Sequence, residues 1–65
     1  MRKYAKAAAE AHSNLNTYHS VIDLLEGGHI YGGRHQTAYR IIALCKRAAG
    51  KELQIYDAAM EKLQP

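Results

Sequence analysis

A glycine-rich stretch followed by cationic side chains is the part of this 65-residue sequence best suited to chemistry. Residues 27–33 read Gly-Gly-His-Ile-Tyr-Gly-Gly, and Arg34 and His35 follow at the start of a helical pattern. The glycine before that pattern has no side chain to accept the first backbone N–H groups, and no acid lies in the first turn. Free N–H groups, glycines that permit close approach and two cations are together typical of an anion site.

The sequence therefore predicts a site for a phosphate-bearing ligand, a nucleotide or a nucleotide-like signal, at this junction. Tyr31 or Tyr39 offers a surface on which a base can stack. The stretch matches neither a P-loop, which needs a Lys-Ser/Thr pair, nor a dinucleotide fingerprint, which needs a preceding strand. The structural alternative is that Ile30 and Tyr31 cover the open end of a bundle while the glycines adopt positive φ. The predicted ligand-binding residues are Gly32, Gly33, Arg34, His35, Tyr31, His29 and Tyr39.

Positive charge is concentrated in the segment that follows. Residues 33–51 contain five cations and no acid, whereas residues 52–65 sum to −2, within a total of +3. On a helix, Arg40, Arg47 and Lys51 fall within about 40° of one another, opposite the apolar positions. Such a stripe is a candidate nucleic-acid surface. The alternative is an ordinary solvated face whose long side chains also cover apolar flanks.

The remaining reactive side chains form no complete site. His19 and Asp23 are spaced to share one ion and His12 lies nearby, but two ligands do not make a metal site unless a symmetric dimer doubles them. Cys45 lies among apolar positions, which favours a buried structural thiol over a nucleophile. No nucleophile stands beside a base, and no paired carboxylates occur. We therefore predict no enzymatic activity, no catalytic residue, no metal and no cofactor.

A helical hairpin has to position these residues. Apolar side chains recur with 4-3 spacing in the first part of the chain, which predicts one amphipathic helix over about residues 2–26. Gly27 and Gly28 then end this helix, as a glycine at the C′ position does. The apolar seam of the first helix comprises Tyr4, Ala8, Ala11, Leu15, Tyr18, Ile22 and Leu25.

A second helix is predicted over about residues 34–63, because a second apolar seam keeps its register across Gly50. A bend or break at Gly50 stays open, with three helices as the alternative, since glycine inside a helix costs about 1 kcal/mol relative to alanine. Burial of Gly50 against the first helix would offset that cost. The seam of the second helix comprises Ala38, Ile42, Cys45, Ala49, Leu53, Tyr56, Met60 and Leu63.

A further apolar stripe makes the apolar face of the second helix wider than the first helix can cover. The hairpin is therefore predicted to be a homo-oligomer, a dimer or higher, forming a helical bundle. The alternative is that this stripe recognises a different protein. The predicted interface residues are Ile41, Leu44, Ala48, Ile55 and Ala59, with Thr37 on the same stripe.

Length and composition bound the class of protein. At 7.3 kDa the chain is predicted to be one all-α domain, residues 1–65, whose core is marginal on its own. The single cysteine permits no internal disulfide, which predicts a reducing, cytoplasmic location. No apolar run reaches the roughly 20 residues of a membrane span, and the basic start is not followed by a signal-peptide pattern.

In its length, its hairpin and the Gly33-Arg34 start of its second helix, the chain resembles the small helical-hairpin proteins of phages and plasmids. One such type binds RNA as a dimeric four-helix bundle, and another sequesters cyclic-nucleotide signals. The resemblance assigns no role to any residue. Three functions remain open: binding of a phosphate-bearing ligand, regulation through nucleic-acid binding, and inhibition or scaffolding of a protein through the apolar stripe.

Overall fold

The computed structural model describes residues 2–32 and 34–64. Over these residues the backbone forms two α-helices and no strand: α1 is Arg2–Glu26 and α2 is Gln36–Leu63. The helices pack against each other along their length, so that α1 begins beside the end of α2. The predicted all-α helical hairpin is confirmed, and its extents are 47 × 16 × 14 Å.

A glycine turn ends α1 in the predicted place. The N–H of His29 donates to the carbonyl of Leu24 at 3.0 Å, and the N–H of Gly28 donates to the carbonyl of Leu25 at 3.2 Å. Gly28 has φ +75°, a left-handed conformation that costs glycine little. This pair of bonds is the Schellman pattern, which satisfies carbonyls that the helix itself leaves free. Gly28 is therefore the C′ residue of α1.

The start of α2 differs from the prediction in two respects. The helix begins at Gln36 rather than Arg34, because His35 is extended, with φ −131° and ψ 135°. The expectation that this end lacks a side-chain cap is wrong, since Nδ1 of His35 accepts a hydrogen bond from the N–H of Thr37 at 3.0 Å. An imidazole nitrogen thus takes the part that an Asn or Asp oxygen usually has.

The second helix is continuous across Gly50. The three-helix alternative is therefore wrong. Gly50 is exposed, and a Cβ built on it meets nothing within 4 Å. Because Gly50 lies on an open side of α2, burial against α1 does not offset the free-energy cost of a glycine inside the helix.

The seam predicted for α1 is confirmed along its whole length, where every member is buried or half-buried. Alanine dominates the contact between the helices. Among the described residues no large side chain is fully buried, and no polar or charged residue is buried. Small side chains let two helices approach closely, but they bury little apolar area. The buried residues are Ala8, Ala11, Ile22, Leu25, Ala38, Ala49 and Ala59.

Two residues of α2 have exchanged places relative to the prediction. Leu53, predicted on the seam, is 49% exposed, whereas Ala59, predicted on the outer stripe, is 5% exposed. Both positions lie on flanks of the buried face, one on each side. A close approach of helices accepts the methyl group of alanine and excludes the larger leucine, so Ala59 packs against α1 and is not free for an oligomer interface.

Candidate anion-binding and apolar surfaces

The glycine-rich loop presents an aromatic pair. Tyr31 lies on His35 with ring centroids 4.7 Å apart and an angle of 27° between the ring planes. Tyr31 and Gly32 have φ of +64° and +66°, and a positive φ is strained for tyrosine but not for glycine. Tyr31, one of the two tyrosines predicted to stack on a base, therefore stacks on the capping histidine instead. Gly33 lies outside the described residues.

Nδ1 of His35 accepts the N–H of Thr37, so this ring atom is engaged in the cap of α2 and not in contact with a ligand. Thr37 donates its N–H to the cap and is not free to donate to an anion. The start of α2 thus has fewer free N–H groups than the sequence predicts.

Arg34 and Tyr39 line one open cavity of about 280 Å³ near the loop. Leu25 and Ile42 form its apolar wall, and Glu26 also lines it. The carboxylate of Glu26 opposes binding of a second anion, since like charges at close range repel. Glu26 is a residue that the sequence analysis missed. It stands eight positions before Arg34, at the end of the preceding helix, so only the turn of the loop brings the two together.

The predicted ligand-binding residues are thus divided among separate places. Arg34 and Tyr39 share the cavity, while Tyr31 and His35 form the stacked pair. The ring of His29 folds back onto Gly27, where a Cβ built on the glycine would meet Cδ2 of His29 at 2.9 Å. The imidazole of His29 covers the end of α1.

The predicted basic stripe lies along the outward side of α2. Arg40, Arg47 and Lys51 are all exposed. Because the helix is continuous, their backbone positions are spread over about 16 Å of one straight element. Their spacing of seven and then four residues keeps them on one side. A row of exposed cations on one side of a helix can neutralise phosphates of a nucleic-acid backbone.

The outer apolar stripe is largely uncovered in the hairpin. Leu44 is 62% exposed and Ile55 is 49% exposed, whereas Ile41 and Ala48 are half-buried. Near Ile55, an apolar depression of about 300 Å³ extends onto α1 at Ala7. Thus four of the five predicted interface residues stay available on the outside of α2.

On the opposite flank of the hairpin is a larger groove that the sequence analysis did not predict. Its volume is about 380 Å³, and it is open to solvent where Gly50 lacks a side chain. The signal in the sequence that could have indicated this groove is Gly50, a glycine inside the helical pattern of α2. The lining residues are Leu15, His19, Ile22, Lys46, Ala49, Gly50 and Leu53.

His19 lines the groove beside Gly50, whereas His12 and Cys45 line none of the three cavities described above. In the described part of the chain, no group of three metal-ligating side chains comes together. His12 contacts Tyr56 across the helices, with ring centroids 6.1 Å apart. Cys45 is a half-buried free cysteine. In residues 2–32 and 34–64, no helix is long and apolar enough to cross a bilayer.

Comparison of the chain with protein-family models, with curated proteins and with solved structures finds no match.

Proposed function

We propose that this chain is a small non-catalytic protein that binds nucleic acid through phosphate contacts from its basic stripe, Arg40, Arg47 and Lys51. The supporting observation is that all three side chains are exposed on one side of a helix unbroken at Gly50. Contacts of this kind are independent of base sequence and release counterions, so binding weakens steeply with salt. The binding of DNA or RNA is thus proposed to be electrostatic in origin.

The surrounding charge supports the same proposal. From Arg34 to Lys51 no acid interrupts the cations. Tyr39, next to Arg40, is 55% exposed and available to stack on a base. By contrast, the loop offers an anion a cavity that also contains the Glu26 carboxylate. The basic stripe is therefore the better supported of the two anion surfaces.

The experiment measures binding of a labelled duplex and a labelled single strand over a range of salt concentrations. Replacing Arg40 and Arg47 by alanine is expected to lower affinity at least tenfold at low salt and to reduce the salt slope by about 1 for each lost phosphate contact. The control is Lys46→Ala, which removes one positive charge from a neighbouring position on another side of α2. Its effect is expected to be smaller than that of Arg47→Ala.

Two results would contradict the proposal. One is the lack of any binding to either nucleic acid at low salt. The other is an equal loss for Lys46→Ala and Arg47→Ala, because it would reduce the effect to net charge alone. Circular dichroism of each variant checks that the helices are retained.

A second candidate function is binding of a phosphate-bearing small molecule at the cavity near the loop. The observation that favours it is that Arg34 and Tyr39, a cation and an aromatic ring, line the same cavity. A nucleotide would place a phosphate at the guanidinium and its base on the phenol ring. His35 would keep its role as the cap of α2.

Nucleotide titration followed by thermal melting tests this second function. A nucleotide that binds is expected to raise the melting temperature, and Arg34→Ala is expected to abolish the increase. Glu26→Gln removes the opposing carboxylate at nearly constant shape, so it is expected to enlarge the increase. A flat response of the wild type and of Glu26→Gln to a panel of mono-, di- and cyclic nucleotides would exclude the small-molecule function.

A further inference from the structure

The apolar residues left on the outside of α2 share one side of the helix, which we call the outer stripe: Ile41, Leu44, Ala48 and Ile55. The first and last are seven residues from Ala48 on either side, and Leu44 lies between them. Leu44 and Ile55 expose about half or more of their surface. Spacings of three, four and seven residues keep the strip on one side of α2.

The solvent-accessible surface of the hairpin is larger than that expected for a folded monomer of the same mass. Its accessible surface is 5054 Å², whereas a folded monomer of this mass exposes about 4,200 Å². The excess is close to the roughly 800 Å² that each partner buries in a protein–protein interface of standard size. The alanine-rich contact between α1 and α2 explains the excess, because it hides little side-chain area.

We propose that a second copy of this chain covers the outer stripe, with the two α2 helices antiparallel about a two-fold axis near Ala48. In that arrangement Ile41 of each copy lies level with Ile55 of the other, since both are seven residues from the axis. The small side chain of Ala48 lets the helices approach where they cross. The result is a four-helix bundle with one self-complementary interface. This dimer is independent of the proposed nucleic-acid function.

The opposite flank of α2 is a poorer interface. Leu53 is as exposed there as Ile55 is on the outer stripe, at 49% for both. However, His19 and Lys46 line the groove beside Leu53, so burial of that flank would take two polar side chains out of water. Leu53 therefore serves as a control residue of equal exposure on the flank of α2 that the proposed interface does not include.

The first experiment is the solution mass of the full chain by light scattering or sedimentation at micromolar concentration. The wild type is expected to have twice the 7.3 kDa chain mass. Ile55→Asp is expected to shift the mass to one chain, and Leu53→Asp is expected to leave two. A wild-type chain of single mass would overturn the proposal and leave the stripe to a different protein. Loss of the dimer in Leu53→Asp with retention in Ile55→Asp would also overturn it.

Disulfide trapping tests the direction of pairing even if the aspartate variants do not fold. In a Cys45→Ala background, Ile41→Cys with Ile55→Cys is expected to give a covalent dimer under oxidation. Ile55→Cys alone is expected to give none, because the two copies of residue 55 would be about 21 Å apart along the axis. A disulfide needs Cα atoms within about 7 Å of each other. Covalent dimers from Ile55→Cys alone would overturn the antiparallel arrangement.

Discussion

At the scale of the residue, two glycines of the hairpin differ in backbone conformation, one being left-handed and the other helical. Gly28 has φ +75° at the C′ position of α1, whereas Gly50 is helical and exposed, with no atom within 4 Å of a built Cβ. Alanine at Gly28 is expected to destabilise the protein by about 1 kcal/mol or more. Alanine at Gly50 is expected to stabilise it by about 0.5–1 kcal/mol, because it reduces the freedom of the unfolded chain.

Thermal melting at one fixed protein concentration measures both glycine variants. For a chain of this length, about 1 kcal/mol corresponds to a change of roughly 4–8 °C in melting temperature. The two variants add the same methyl group, so any general effect of alanine would move both melting temperatures in the same direction. Stabilisation by Gly28→Ala would contradict the Schellman turn, and destabilisation by Gly50→Ala would contradict the open side of α2.

The cap of α2 makes a second prediction at the scale of the residue. His35→Ala removes the acceptor for the N–H of Thr37 and is expected to cost about 1 kcal/mol. His35→Asp restores an acceptor and adds a negative charge at the helix start, so its stability is expected to exceed that of His35→Ala. Both variants lose the stacking on Tyr31, so the difference between their urea unfolding curves measures the restored cap together with the added charge. Equal stabilities would show that His35 acts through stacking alone.

At the scale of the element, the alanine contact determines how the helices fit. Ala11 is 1% exposed in the contact, whereas Ala9 lies on the outside of the same helix. Ala11→Leu is expected to push the helices apart and to cost about 1–3 kcal/mol. Ala9→Leu adds the same atoms on the exposed side, where substitutions usually change stability by less than about 0.5 kcal/mol. Equal unfolding midpoints for the two variants would contradict the close approach of α1 and α2.

The helices themselves follow from sequence patterns at this same scale. The 4-3 spacing and the two glycines correctly predicted the bounds of α1 and all seven residues of its seam. The pattern of α2 gave its end and its register, but it did not show which flank would turn inward. Leu53 and Ala59 lie on opposite flanks, and a helical wheel shows only their angles. The distance between the helices, which neither helix contains alone, buries the alanine and exposes the leucine.

At the scale of the whole molecule, the hairpin is thin. Its radius of gyration is 14.5 Å, against about 11 Å for a compact domain of 65 residues. A dimer that completes the core would unfold to two separate chains, so its melting temperature would depend on protein concentration. We expect a decrease of about 5 °C for each tenfold dilution of the wild type. Melting temperatures that are independent of concentration would indicate a stable single chain.

The two candidate sites differ in how far the sequence predicts them. Arg40, Arg47 and Lys51 were predictable from sequence because their common side depends only on the period of one helix. The loop site was less predictable, because its geometry depends on the turns of an irregular segment, which have no fixed period. Glu26 and Arg34 line one cavity, Tyr31 stacks on His35, and His29 turns back onto Gly27.

The sequence by itself determined the two helices, the course of α2 through Gly50, the glycine stop of α1, the seam of α1 and the row of cations on α2. These features depend on backbone preferences and on a fixed angle per residue, both of which can be read along the chain. Only the tertiary structure decided the burial of Ala59 and the cavity that Glu26 and Arg34 line together. Those features depend on distances between segments, which are set when the two helices pack.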